Sequence, residues 1–266
     1  MELSGKTFLL TGASGGIGQA MAQALAAQGV RLLLVGRDGA KLDVVKHSLP
    51  VTGGSAIQHV TVLADVATDS GRAALLQACK TAGPLDGVIN NAGISQFALI
   101  DAQDFSAQLQ TNLLAPMQLV QALLPQLLVR PEAVIVNVGS AFGSIGHPGY
   151  SGYCASKFGL RGFTEALRRE LADTAVAVLY LAPRATDTGI NSPAVVEMNK
   201  ALGNQTDSPQ RVANALIAQL KAGQARRYIG WPEQLFVRVN ALLPHIVDKA
   251  LAAKLAIVRR FATGNH

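Results

Sequence analysis

Short apolar runs alternate with longer amphipathic stretches along most of this chain. Residues 6–10 (KTFLL), 31–35 (RLLLV), 58–63, 87–90 (GVIN), 133–138 (AVIVNV) and 175–181 (AVAVLYL) read as strands. Their nearly unbroken apolar character predicts strands covered on both faces. The stretches between carry helical spacing: 17–28 ending at Gly29, 40–49, 70–82 closed by Gly83 and Pro84, 104–128, 153–172 and 208–222. Pro116 marks a kink or restart in the fourth of these. Ser208 fits a helix cap, with Pro209 at the first helical position. Regular strand–helix alternation predicts an α/β fold, a doubly wound parallel sheet with helices on both faces.

No linker precedes about residue 223, so residues 1–222 are expected to form one domain and 223–266 a C-terminal extension. The polar stretch 186–207 is long enough to serve as a mobile cover. A hydrophobic content of 49% and a mean hydropathy of +0.27 support a sizeable core and exclude disorder. With only 5% aromatic residues, that core must be mainly aliphatic. The N-terminus lacks the pattern of a signal peptide, and no apolar run is long enough to span a bilayer. The two cysteines, Cys79 and Cys154, make neither a disulfide framework nor a metal-ligand spacing, so no metal is expected and a reducing cytoplasm fits best.

Two motifs carry the chemistry. Thr11-Gly12-Ala13-Ser14-Gly15-Gly16-Ile17-Gly18 follows the first strand and opens the first helix, the context in which a glycine-rich loop binds a dinucleotide in a Rossmann-type sheet. Its glycines allow close backbone approach, and the helix N-terminus attracts the pyrophosphate. A generic glycine turn is the weaker reading, because strand, loop and helix come in the required order. The second motif is Tyr153-Cys154-Ala155-Ser156-Lys157. Tyr and Lys four apart project from one helix face, and an ammonium beside a phenol lowers its pKa toward a useful acid/base. A lone YxxxK is common on exposed helices, so its weight comes from the rest of the chain.

TGxxxGxG, then Asn90-Asn91-Ala92-Gly93, then Ser140, then YxxxK together resemble the short-chain dehydrogenase/reductase family. The matching motifs run in the family's order from Thr11 to about Thr188. The resemblance implies that Tyr153 is the general acid toward a substrate carbonyl. Lys157 would lower the phenol's pKa and bind the nicotinamide ribose, Ser140 would hold the carbonyl, and Asn112 would position a water for a proton relay. It also implies cofactor contacts at Thr11, Gly12, Ser14, Gly16, Ile17, Gly18, Asn91, Ala92, Gly93, Pro183 and Thr188, with Asp65-Val66 at the adenine; a solvated loop aspartate is an equal reading of Asp65. Homo-oligomers are common in the family.

NAD-preferring relatives place an acid at the end of the second strand, where this chain has Gly36 followed by Arg37. A guanidinium suits a 2′-phosphate, which favours NADP(H) over NAD(H). Asp38, one residue on, lies near the distance of a ribose acid and is the competing feature. The family's usual Pro-Gly after the sixth strand is Pro183-Arg184 here; a residue needing positive φ would be strained at that place. Arg184 either binds an anionic substrate group or points outward. Phe97, Phe142, Ile145, Tyr150, Ile190, Val195, Val196 and Met198, on three loops near the expected pocket, suit a ketone or acyl chain; loop-on-loop packing is the plain alternative.

Charge is divided unevenly. Residues 1–220 hold 15 Lys and Arg against 15 Asp and Glu, and residues 221–266 hold eight against two, so the whole net charge of +6 lies at the C-terminal end. Pro244 is expected to start a helix running through Phe261, with Leu243, Val247, Ala250, Leu251, Leu255, Val258 and Ala262 on one face. Such a basic amphipathic stretch, 244–266, could lie on an anionic membrane surface at the inner face of a membrane, or pack on its own domain or a second subunit. Trp231-Pro232 reads as a turn or cover. No nucleic-acid-binding motif accompanies the charge. These features point to an NADP(H)-dependent oxidoreductase of carbonyls or secondary alcohols on an apolar, lipid-like substrate, with a catalytically silent cofactor-binding sensor or scaffold as the alternative.

Overall fold

The computed structural model describes residues 1–50 and 58–263. Seven strands form one parallel sheet: β1 (Thr7–Thr11), β2 (Arg31–Gly36), β3 (Val60–Leu63), β4 (Gly87–Asn90), β5 (Ala133–Val138), β6 (Val176–Ala182) and β7 (Arg226–Tyr228). Their order is β3-β2-β1-β4-β5-β6-β7, and every neighbouring pair runs parallel. The order reverses between β1 and β4, which opens a crevice at the C-terminal ends of those strands.

The strand sequences explain the two layers. In β1 and β2, Phe8, Leu10, Leu32 and Leu34 point into one buried cluster, with Ala22 and Leu25 of α1 (Gly16–Ala26) and Val212 and Leu216 of α8 (Pro209–Ala222). Their neighbours Leu9, Leu33 and Val35 point into the other cluster. There they meet Leu75 of α3 (Asp69–Ala82), Leu119 of α5 (Ala115–Leu128) and Leu167 of α6 (Ser151–Glu170). Alternate side chains of a strand face opposite ways, so an unbroken apolar run is what two covered faces require. Leu42 and Val45 of α2 (Gly39–His47) join the first cluster.

Several elements differ from expectation. The stretch 104–128 is helical throughout, with a π turn that was not expected: α4 (Phe105–Leu109) is capped by Asp104, the π turn covers Gln110–Leu114, and α5 restarts with Pro116 in its first turn. Within 186–207 a helix, α7 (Pro193–Ala201), is capped by the Ser192 side chain. The seventh strand lies beyond the expected boundary at 222, so the sheet takes its edge from the segment read as an extension. Trp231-Pro232 opens a helix, α9 (Trp231–Leu242), rather than a turn. The single helix expected from Pro244 is two, α10 (Pro244–Ala252) and α11 (Leu255–Ala262). Of its apolar face, Val247 and Val258 are buried in the protein itself, and Val258 joins Tyr150, Cys154, Val195 and Met198 in a third apolar cluster. Residues 264–266 of the basic tail lie outside the described residues. Among the described residues, no helix is long and apolar enough to cross a membrane.

Candidate active site

The crevice is assembled from the glycine-rich loop upward. Gly12 adopts φ +66°, and a Cβ on it would stand 2.8 Å from the Ala92 Cα; a Cβ on Gly18 would collide with the Gly12 carbonyl. These contacts let the loop after β1 fold tightly against the loop after β4. Thr11 fastens the two: its hydroxyl accepts the Asn91 and Ala92 N–H groups at 3.0 Å each, and the Asn91 amide donates to the Thr11 and Gly12 carbonyls at 3.0 and 3.2 Å. The first turn of α1 has no side-chain cap and no acidic residue, so its N–H groups and dipole are left for an anion. Thr188 closes over this end, with its Cγ2 only 2.9 Å from where a Gly16 Cβ would lie. This donor set and the space the glycines leave fit a dinucleotide pyrophosphate.

At the end of β2, a Cβ on Gly36 would meet Ser14 Oγ at 3.0 Å, so Ser14 borders the place where an acidic side chain would otherwise project. Arg37 is exposed beside it. Asp38 is engaged elsewhere: it caps α2 by accepting the Lys41 N–H at 3.1 Å and pairs with the Lys41 ammonium at 3.3 Å. Asp65 folds onto its own loop, accepting the Ala67 N–H at 2.9 Å, and Val66 is buried beside it.

The catalytic candidates converge on the ends of β4 and β5. Ser140 caps the short 3-10 turn Ala141–Gly143, its Oγ accepting the Phe142 N–H at 3.1 Å. That acceptance leaves the hydroxyl proton free to donate. Beneath it lies Tyr180 of β6, 1% exposed, whose hydroxyl is 3.4 Å from the Ser140 carbonyl. Any Cβ on Gly139 or Gly143 would strike Tyr180, so the two glycines let the ring support the Ser140 turn from below. Tyr180 was not anticipated from the sequence, where it is one apolar-run residue among seven.

Tyr153 and Lys157 share one face of α6. Lys157 is buried, donates to the Val138 carbonyl at 3.0 Å, and lies 5.8 Å from the Tyr153 ring centroid. Burial lowers the Lys157 pKa to about 8. Tyr153 moves the opposite way from expectation: burial raises it to about 12, with the Ser140 hydroxyl acting in the lowering direction. Desolvation dominates at Tyr153, so its pKa rises although an ammonium lies on the same helix face. Asn112 is fully buried on the π turn. Its Oδ1 accepts the Ile94 N–H at 2.9 Å, and its Nδ2 donates to the Ile94 carbonyl at 2.8 Å and to Ser156 Oγ at 3.0 Å. Ser156 in turn donates to the Tyr153 carbonyl at 2.7 Å, which ties the Asn112 turn to the helix bearing Tyr153 and Lys157. A Cβ on Gly93 would lie 3.2 Å from Asn112 Oδ1 and 3.6 Å from Lys157 Nζ, so both groups flank the same glycine.

These groups open on a cavity of about 510 Å³. Asn91, Gly93, Ser140, Tyr153, Lys157 and Thr188 line it. Phe142, Tyr150, Val195 and Met198 line it too, as do Val247, Ala250 and Leu251 of α10 and the charged Arg184, Glu233 and Lys254. The three α10 residues stand at i, i+3 and i+4 of one helix face, so part of the stripe expected to lie on a membrane faces this cavity. Arg184 takes neither expected course. No non-glycine among the described residues has a positive φ, so its backbone is unstrained. Its guanidinium joins Asp207 at 2.9 Å and both Glu233 oxygens at 3.2 Å, a nearly buried cluster that ties the loop after β6 to the start of α9. Arg211 also reaches Asp207, at 2.8 Å. No cluster of three metal-ligating side chains occurs among the described residues.

The family model described as short chain dehydrogenase matches residues 6–199, most of the chain. The chain belongs to the short-chain dehydrogenase/reductase family. Among curated relatives of this short-chain dehydrogenase, ketoacyl reductase HetN of a Nostoc strain is 38% identical over 224 residues, 82% of this chain and 76% of that protein. The 3-oxoacyl-[acyl-carrier-protein] reductase FabG of Vibrio cholerae is 32% identical over 84% of this chain and 85% of its own. Among solved structures, a 3-ketoacyl-(acyl-carrier-protein) reductase from Brucella melitensis complexed with NADH superimposes with a TM-score of 0.75 at 26% identity, covering 85% of this chain and 97% of that one.

Proposed function

We propose that this short-chain dehydrogenase transfers hydride between NADP(H) and a carbonyl or secondary alcohol on an apolar, ketone- or 3-oxoacyl-type substrate. One observation carries the reading: Ser140, Tyr153 and Lys157 line one cavity together with the apolar side chains of Phe142, Tyr150, Val195 and Met198. The names of the two ketoacyl-reductase relatives support the acyl side of it. The uncapped N-terminus of α1 and the glycine contacts around it support the pyrophosphate site. Exposed Arg37, next to Gly36 at the end of β2, with Asp38 committed to α2, supports a 2′-phosphate and hence NADP(H) over NAD(H).

The nicotinamide, when bound, supplies or accepts the hydride. The chain's own residues do the rest. Tyr153 gives its phenolic proton to the carbonyl oxygen as that oxygen gains charge, and a pKa near 12 keeps the proton in place at neutral pH. Ser140 donates a second hydrogen bond to the same oxygen, so both donors act where charge develops. Lys157, held by Val138, favours the phenolate that remains, and its other N–H groups are available to a ribose hydroxyl. Asn112 is a positioning residue for the path that returns the proton.

The test is NADPH oxidation against ketones and 3-oxoacyl thioesters of increasing chain length. Turnover that rises with chain length is expected. Tight NADPH binding with no turnover across the series would favour the silent sensor.

A further inference from the structure

Helix α9 presents an apolar arc to solvent. At 100° per residue, Trp231, Leu235, Arg238 and Leu242 fall within about 60° of arc, and Glu233 and Asn240 lie opposite them. An ordinary surface helix buries its apolar face. Here the side opposite the exposed arc is tied down, with Glu233 paired to Arg184 and the Asn240 amide donating to the Ser144 carbonyl at 2.9 Å, while Gln234 at the edge of the arc donates to the Tyr228 carbonyl at 3.0 Å. No residue of α9 is buried. Trp231 is 71% exposed, Leu242 80% and Leu235 49%. Leu243 and Ile246, just beyond, continue the apolar surface at 47% and 46%.

We infer that the outward face of α9, continued through Ile246, is a docking surface for an anionic lipid bilayer. Charge selects the occupant. The surface belongs to the segment that holds the whole +6, with Arg238 on the apolar face itself and Lys249, Arg259 and Arg260 exposed on α10 and α11. A second copy would bring like charge against like charge. A membrane of anionic lipid supplies the opposite sign, an interface for tryptophan and an apolar layer for leucine. Phe236 is half exposed and also lines the cavity, so the docked face adjoins the substrate wall. This places the membrane contact on α9, while α10 turns Val247, Ala250 and Leu251 toward the cavity.

Trp231 is the only tryptophan, so its fluorescence reports this surface alone. With the full chain, vesicles containing phosphatidylglycerol should shift its emission to the blue and co-sediment the protein, and phosphatidylcholine vesicles should do neither. The double variant Leu235→Glu, Leu242→Glu should cut co-sedimentation at least about tenfold. Both side chains are solvent-facing and outside the cavity wall, so its melting temperature and NADPH oxidation on a soluble substrate should match wild type. Unchanged binding by the double variant, equal binding to both kinds of vesicle, or a blue shift that follows protein concentration without vesicles would each overturn the inference, the last in favour of a second copy.

Discussion

The catalytic end of the sheet and the C-terminal cap hold their residues in opposite ways. Asn112, Ser156 and Lys157 are each 5% exposed or less, and each is bonded to backbone or to one another. Helix α9 has no fully buried residue, and its polar ties are chiefly Arg184 with Glu233 and Asn240 with Ser144. Burial makes the first region a fixed scaffold, in which a displaced group has nowhere else to go. Polar ties let the second change sequence and position at little cost to the sheet. On the proposed function, chemistry belongs to the first region and substrate choice to the second.

The comparison is broken hardest at Tyr153. Tyr153→Phe should lower kcat by about 10²–10⁴-fold, the range for losing a positioned acid/base, with NADPH affinity nearly unchanged. Steady-state kinetics with equilibrium NADPH titration check this, and retained turnover would remove Tyr153 from the mechanism. A second large effect is expected at Arg37. Arg37→Asp should weaken NADPH by at least about tenfold and leave NADH within a few-fold, because an acid repels the 2′-phosphate and suits a ribose hydroxyl. Equal loss of both cofactors would take Arg37 out of that contact.

How much of this was legible in the sequence differs between the same two regions. The sheet was readable because strands covered on both faces leave an unbroken apolar run, as in AVIVNV of β5. The site motifs were readable because their spacing is local: Tyr153 and Lys157 are one helical turn apart. β7 was not readable, since Arg226-Arg227-Tyr228 is three residues long and two are charged. Helix α7 has a readable signal, because Ser192-Pro193 carries the same cap-and-proline pattern as Ser208-Pro209 at α8. Arg184 had no local signal, because its partners Asp207 and Glu233 lie 23 and 49 residues away and only the fold brings them together. The direction of the Tyr153 shift has a related cause: spacing places an ammonium near the ring, whereas the burial that raises the phenol is a property of the fold.

Burial at the catalytic end also has a signature in pH. Lys157 releases its proton at about 8 in the folded protein, against 10.5 ordinarily. Between those values the unfolded chain binds more protons, so stability rises with pH, by at most about 1.4 kcal/mol per pH unit from this group. Burial raises Cys79 to about 11 and raises Tyr153 as well, and these groups act in the reverse sense once the pH passes their ordinary values. The difference between wild type and Lys157→Met isolates the lysine. Denaturant melts from pH 7 to 10 should show the variant lacking the rise that begins near pH 8 in wild type. Parallel curves would mean that Lys157 is solvated in the folded protein.

The smallest effect is expected where the cap is tied. Glu233 is one quarter exposed, and Arg184 keeps its bond to the almost fully buried Asp207 when the Glu233 charge is removed. Glu233→Gln should therefore cost only about 1 kcal/mol, a fall of roughly 2–4 °C in melting temperature for a chain of this size. Because the tie orders α9 and through it part of the cavity wall, KM for long-chain substrates should rise a few-fold with kcat nearly constant. Short substrates that reach only Ser140 and Tyr153 should be unaffected. That split separates a positioning role for Glu233 from a general loss of stability, which would lower activity on short and long substrates alike. A fall in kcat on short substrates would instead mean that the Arg184 cluster reaches back to the catalytic groups, and the two regions would then be one mechanical unit.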